Sequence, residues 1–203
     1  MNLGNLRSHF IALLNRSDIT NSLADTFIDQ SIARIQRQLR IPSMEKTHTY
    51  TISAQTGSLT IPNDFLEPID LYADDHSLSR ITFRDMQDYK DNTYTGSPHF
   101  FTREGSDFLI FPEPTSGTVK LNYYAQFPAM SSDSDENILA QVASDLIIYG
   151  ALGYAADYFL DERAPLYEDK FLTFLTEVQE QANDQELSGT LIAIRPATEY
   201  GQF

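Results

Sequence analysis

The sequence predicts an α+β protein: a helical bundle built from the N- and C-terminal helices, with an antiparallel β-sandwich or barrel module inserted between them. Two observations predict it. Apolar residues recur at helical spacing near both ends of the chain but alternate as in strands through the middle. A helical hairpin taken alone also buries too little surface to be stable, so the two helical ends are expected to meet in space. The expected division is 1–45 with 129–187 for the bundle, 46–128 for the β module, and a tail over 188–203.

A first helix is expected over Leu3–Asn15, ending near Arg16-Ser-Asp. Thr20 or Asn21 offers an N-cap for a second. Its stripe is Leu23, Phe27, Ile28, Ile32, Ile35 and Leu39. Arg34, Arg37 and Arg40 lie off that stripe, near the C-terminal end where cations suit the helix dipole. They read either as a solvated face or as a strip of intersubunit ion pairs. Ile41-Pro42 stops the helix.

Next, His48, Tyr50 and Ile52 alternate with threonines, the chain turns at Gln55-Thr-Gly-Ser58, and alternation resumes at Leu59 and Ile61. Such a pattern around a glycine-containing turn predicts a hairpin. Further strands are expected over Leu66–Ala73, Leu78–Ile81, Pro98–Thr102, Phe108–Phe111 and Thr118–Gln126. Turn formers such as Asp74-Asp75 and Arg103-Glu-Gly-Ser106 separate them, and Thr82–Asp91 reads as a short helix. Short strands at this spacing suit a sandwich or small barrel.

Helical spacing returns after Asp133. Ser134 or Asp135 is expected to cap one long helix through Leu160. Another begins near Pro165, which a first turn tolerates, with a stripe of Tyr167, Phe171, Phe174 and Val178. It is expected to fade over 181–187 and to end at Ser188-Gly189.

The most apolar stretch, "DLIIYGALGYAAD" (145–157), needs its own account. Eleven uncharged residues between its aspartates give about 16 Å of helix. A bilayer core takes about 20 residues, so membrane insertion is excluded for this segment. Mid-helix glycine costs roughly 1 kcal/mol against alanine. Gly150 and Gly153 therefore point to close approach of another backbone, while Leu146, Tyr149 and Leu152 fill the facing core. The partner is a helix of the same chain or a neighbouring copy in an oligomer. A cofactor pocket would want convergent polar groups, which are absent, so no cofactor is expected.

Chemistry is hard to find. With no cysteine there is no disulfide or thiolate site. The four histidines lack ligand spacing. Asp70, Asp74, Asp75 and His76 crowd together without the spacing or glycine of a calcium loop, and read as a hairpin turn. No nucleophile motif or paired carboxylates stand out, so the expectation is not an enzyme. Net charge is −15. Residues 133–203 contribute −11 of it, three Lys/Arg against fourteen Asp/Glu. Such a surface does not grip a phosphate backbone, yet it suits a wall past which DNA slides.

Four stretches together resemble the head-to-tail adaptor proteins of tailed bacteriophages, in particular the tail-tubular-protein-A-like portal adaptors of short-tailed phages. They are "LADTFIDQSIARIQRQLRIPSME", "GSLTIPNDFLEPIDLY", "TVKLNYYAQFPAMS" and "ASDLIIYGALGYAADYFLDERAPLYEDKFLTFLTEV". They span about residues 20–180, and none of them is catalytic. The resemblance implies a virion protein made in the host cytoplasm. It implies a homo-oligomeric ring, usually dodecameric, that binds the portal protein, continues the DNA channel and receives the tail nozzle or tail fibre proteins. DNA would then pass transiently and without sequence preference. The competing reading is a receptor- or glycan-binding β module on a helical stalk, served by aromatics expected on the surface of the β region, Tyr89, Tyr94, Phe100 and Phe101.

The tail is apolar for a free end, with Leu191, Ile192, Ile194, Tyr200 and Phe203, and Pro196 favours an extended path. It reads as an arm folded back on its own subunit or, as ring adaptors suggest, as a portal-docking arm.

Overall fold

The computed structural model describes residues 1–90 and 94–187. Helix α1 (Leu3–Leu14) is capped by the Asn2 side chain, which accepts from the Asn5 amide. Helix α2 (Asn21–Gln38) is capped by Thr20, which accepts from Leu23. A 3-10 turn at Pro42–Met44 hands the chain to the strands. These are β1 (Glu45–Ile52), β2 (Ser58–Thr60), β3 (Phe65–Ala73), β4 (His76–Ser77), β5 (Ser79–Arg80), β6 (Phe100–Glu104), β7 (Asp107–Phe111) and β8 (Gly117–Ala125). Helix α3 (Phe83–Lys90) lies between β5 and β6. Helices α4 (Ile138–Val142), α5 (Ser144–Phe159) and α6 (Ala164–Leu187) complete the described chain.

The strands form two four-stranded sheets, ordered β1-β8-β3-β4 and β2-β7-β6-β5. All pairings are antiparallel except the short parallel match of β5 with β6. Leu71, Val119 and Leu121 of the first sheet meet Leu59, Phe101, Phe108 and Ile110 of the second in one apolar cluster. This is the expected sandwich, but the expected hairpin over 47–61 is not there. β1 pairs with β8 along its whole length while β2 pairs with β7 in the other sheet. The glycine-containing turn carries the chain across the sandwich, and the Tyr50 hydroxyl donates to the Thr60 carbonyl across the gap, 2.8 Å. Asp74-Asp75, by contrast, forms the expected hairpin turn between β3 and β4, and the Asp74 carboxylate accepts from the Thr118 amide.

The bundle is organised around α5, against which α1, α2, α4 and α6 pack. Its buried residues, from Leu146 and Ile147 to Ala155 and Ala156, cover most of its circumference. That explains a helix that is apolar all round yet too short to span a bilayer. Among the described residues no helix is long and apolar enough to cross a membrane.

The single long helix expected from Ser134 to Leu160 is two helices. Ala143, buried at the bend between α4 and α5, leaves helical geometry (φ −142, ψ 51). The cap also moves. Asn137 caps α4 by accepting from Ala140, while the Asp135 carboxylate is occupied by the Ser131 and Ser132 amides. At the other end, the helix expected to fade over 181–187 continues as α6 to Leu187.

The helices and the sandwich have separate apolar clusters. Leu66, Tyr124 and Phe127 of the β region pack on the helical one. Arg40 Nε reaches Glu67 on β3 at 2.9 Å, and the Phe127 amide donates to Gln36 Oε1.

Candidate interaction surfaces

The residues singled out on α5 fall into two settings. A Cβ added to Gly150 would overlap Ser31 Oγ of α2 and come within 3.0 Å of the Phe171 ring of α6. Ser31 is itself buried and donates to the Ile147 carbonyl at 2.8 Å. Gly150 is thus the point where α2 and α6 both reach the α5 backbone. Leu146 is buried in the same core. Gly153, three residues on, is half-buried, and an added Cβ there would meet only Glu168 Oε2 at 4.0 Å. Tyr149 is also half-buried, with Lys170 Nζ donating to its hydroxyl at 3.1 Å and Phe174 beside its ring.

The three arginines are not equivalent. Arg34 binds Glu168 through two nitrogens, at 2.8 and 2.5 Å, and stacks its guanidinium 4.1 Å from the Phe171 ring centre. Those hydrogen bonds hold the Glu168 carboxyl below its ordinary range. Arg40 pairs with Glu67, and its backbone exchanges two hydrogen bonds with the Gln179 side chain, which fastens α6 to the end of α2. Arg37 is exposed and makes no ion pair among the described residues. Within the subunit, then, two of the three already have partners.

The aromatics assigned to a receptor site are only partly available. Phe101 is buried in the sandwich at 5% exposure, a correction to its expected place on the surface. Alternation along β6 turns it inward, where it meets Phe108 edge-on. Tyr89 stacks on Phe100 and Phe111 at 5.1 and 5.7 Å, closing a small cluster over Met86. Tyr94 is exposed. Among the described residues no group of His, Cys, Asp or Glu is arranged to hold a metal ion.

One surface escaped the sequence reading. Leu160 is 90% exposed, and Tyr158, Leu166 and Leu13 are exposed as well. Arg163 reaches back to the Leu14 carbonyl at 3.1 Å and brings the end of α1 to the α5–α6 turn, so all four share one end of the bundle. Leu160 sits at the α5 C-cap with φ 53, a left-handed position where glycine or asparagine is usual. A leucine directly before the Asp-Glu-Arg break was the available signal. The tail residues Leu191, Ile192, Ile194, Tyr200 and Phe203 lie outside the described residues.

The family model described as SU10 adaptor protein matches residues 1–194. The chain belongs to the SU10 adaptor protein family. No curated protein matches it. Membership supports the broad expectation of a structural bacteriophage adaptor, a virion component that contacts other head or tail proteins. The family is one of structural phage proteins rather than a known enzyme family.

Proposed function

We propose that this member of the SU10 adaptor family is a tail-tubular-protein-A-like subunit of a ring, dodecameric, that joins the portal to the tail and continues the DNA channel. The observation that carries this reading is the family match over residues 1–194, together with the order of the four stretches described above. Two physical features support it. The −11 charge of residues 133–203 suits a channel that DNA must pass without sticking. An exposed apolar bundle end around Leu160 suits a subunit that is buried further on assembly.

In this reading the bundle of 1–45 and 129–187 forms the ring wall and the module of 46–128 projects from it. Leu146, Tyr149 and Gly150 serve packing within the subunit, and Gly153 and Arg37 are the members of the predicted sets that can meet a neighbouring copy. Leu191, Ile192, Ile194, Tyr200 and Phe203 form the portal-docking arm. Native mass spectrometry of the protein mixed with the portal of its own phage tests the reading. A portal complex carrying a ring of adaptor subunits supports it, and two species that never associate refute it.

A further inference from the structure

The first sheet ends on an open edge. β1 pairs with β8 on one side, and among the described residues no strand lies on its other side. The other edge strands are short: β2 has three residues, β4 and β5 two each. β1 has eight, in unbroken register with β8. From Thr47 to Ile52 it carries no proline, acid, lysine or arginine. Proteins usually blunt such an edge with a proline, a bulge or a charge, because its free main-chain groups invite another strand.

Hydrogen-bond direction shows which groups are free. The Thr118 carbonyl of β8 accepts from the Asp74 amide at 3.0 Å, and the Thr118 amide donates to the Asp74 carboxylate. The main chain of Thr118 therefore faces β3, and alternation turns Val119, Leu121 and Tyr123 toward β1. Their partners there are Tyr50, His48 and Lys46. The intervening Thr47, Thr49 and Thr51 hence point their N–H and C=O groups away from β8, and all three residues are exposed. A row of donors and acceptors at two-residue spacing is matched by another extended backbone.

Beside this edge lies the mouth of the sandwich, a cavity of about 500 Å³ between β1 and β2. His48, Tyr50 and Ile52 line one side, and Leu59 and Ile61 the other. Among the described residues no acid, lysine or arginine lines it. A site of about 150 Å³ accepts a group the size of benzene, so this one holds about three. A strand laid on β1 would send every second side chain into the mouth, and three such positions span about 13 Å.

If the subunits form the proposed ring, on which this inference rests, a second copy does not fit. The same edge on two copies meets only as a two-fold pair, which closes a dimer and cannot repeat round a ring. The remaining edges are too short to serve. We propose that β1 takes up an extended segment of another head or tail protein. That segment pairs with Thr47–Thr51 and places uncharged side chains at alternate positions in the β1–β2 mouth.

Amide exchange of the isolated protein tests the edge. Thr47, Thr49 and Thr51 should exchange at least about a hundredfold faster than His48 and Tyr50. Equal protection of the two sets would mean an edge already covered and would overturn the proposal. Protection of the threonines that grows with protein concentration would give the edge to a second copy and overturn it too. Cryo-electron microscopy of virions of its own phage tests the occupant, and should show extended main chain of a different protein about 4.8 Å from β1. A ring whose β1 edge is bare, or is met by a neighbouring adaptor, overturns the proposal and leaves the ring reading standing. Absence of the ring removes both.

Discussion

Ser31 of α2 lies against Gly150 of α5, its hydroxyl on the Ile147 carbonyl at 2.8 Å in the space a Gly150 side chain would need. This contact fixes how close the first and last thirds of the chain come. It also explains why an apolar helix gives up propensity at its centre. Gly150→Ala should therefore destabilise the subunit by about 1–3 kcal/mol, and Gly150→Leu by more, through overpacking. Gly153→Ala has room and should be neutral or gain up to about 1 kcal/mol from helix propensity. Urea denaturation measures all three. Equal effects at the two glycines would contradict the close approach at Gly150.

The Arg34–Glu168 pair is the second clamp between α2 and α6. Glu168 is partly exposed, at 44% of its side chain, so the pair is weakened by solvent. Arg34→Met should cost only about 1 kcal/mol, including its stacking on Phe171. Its signature lies in pH. Hydrogen bonds depress Glu168, and Asp135 and Asp161 more strongly, both to about 2 through Ser132 and Arg163 respectively. A depressed carboxyl stabilises the fold above its unfolded value, about 4, and that contribution is lost as pH falls through the folded value. Thermal stability should thus drop between about pH 4 and pH 2. In Arg34→Met the drop should be shallower; an unchanged profile would show that Glu168 owes nothing to Arg34.

How much of this was legible in the sequence depended on how local each signal was. Thr20 caps α2 as expected because capping is decided within one turn. The α5 core was visible because its apolar residues are contiguous. The partition of β1 and β2 between two sheets was not, because strand pairing is chosen by distant β8 and β7. Nor could the bend at Ala143 be read, since alanine favours helix and nothing local marks a break there. Among the candidate residues, the close approach at Gly150 followed from two glycines in one helix. The exposed Leu160 end was missed because it depends on a left-handed cap that periodicity does not report.

Excision of the β module tests the insertion. Glu45 pairs with Tyr124 across β1 and β8, so the two crossings of the chain lie side by side. Phe127 is 6% exposed within the helical cluster and should be kept. Replacing 46–126 with a short Gly/Ser linker is expected to leave a helical protein that unfolds in one cooperative step. Helicity without a cooperative transition, or none at all, would mean that the bundle depends on the sandwich for its core.

Deletion of 190–203 separates stability from docking. Thermal stability should stay nearly intact, while attachment to packaged heads should be lost. Normal attachment of the truncated protein, measured by sedimentation with heads, would contradict the docking arm, as would a collapse in melting temperature.

The central claim is that this chain closes into a ring on the portal. Cryo-electron microscopy of the protein mixed with the portal of its own phage tests it most directly. The account predicts a closed ring of twelve adaptor subunits coaxial with the portal, its wall formed by α1, α2 and α4–α6 and its channel open to DNA. Portal particles with no added density, beside adaptor that stays monomeric, would contradict it.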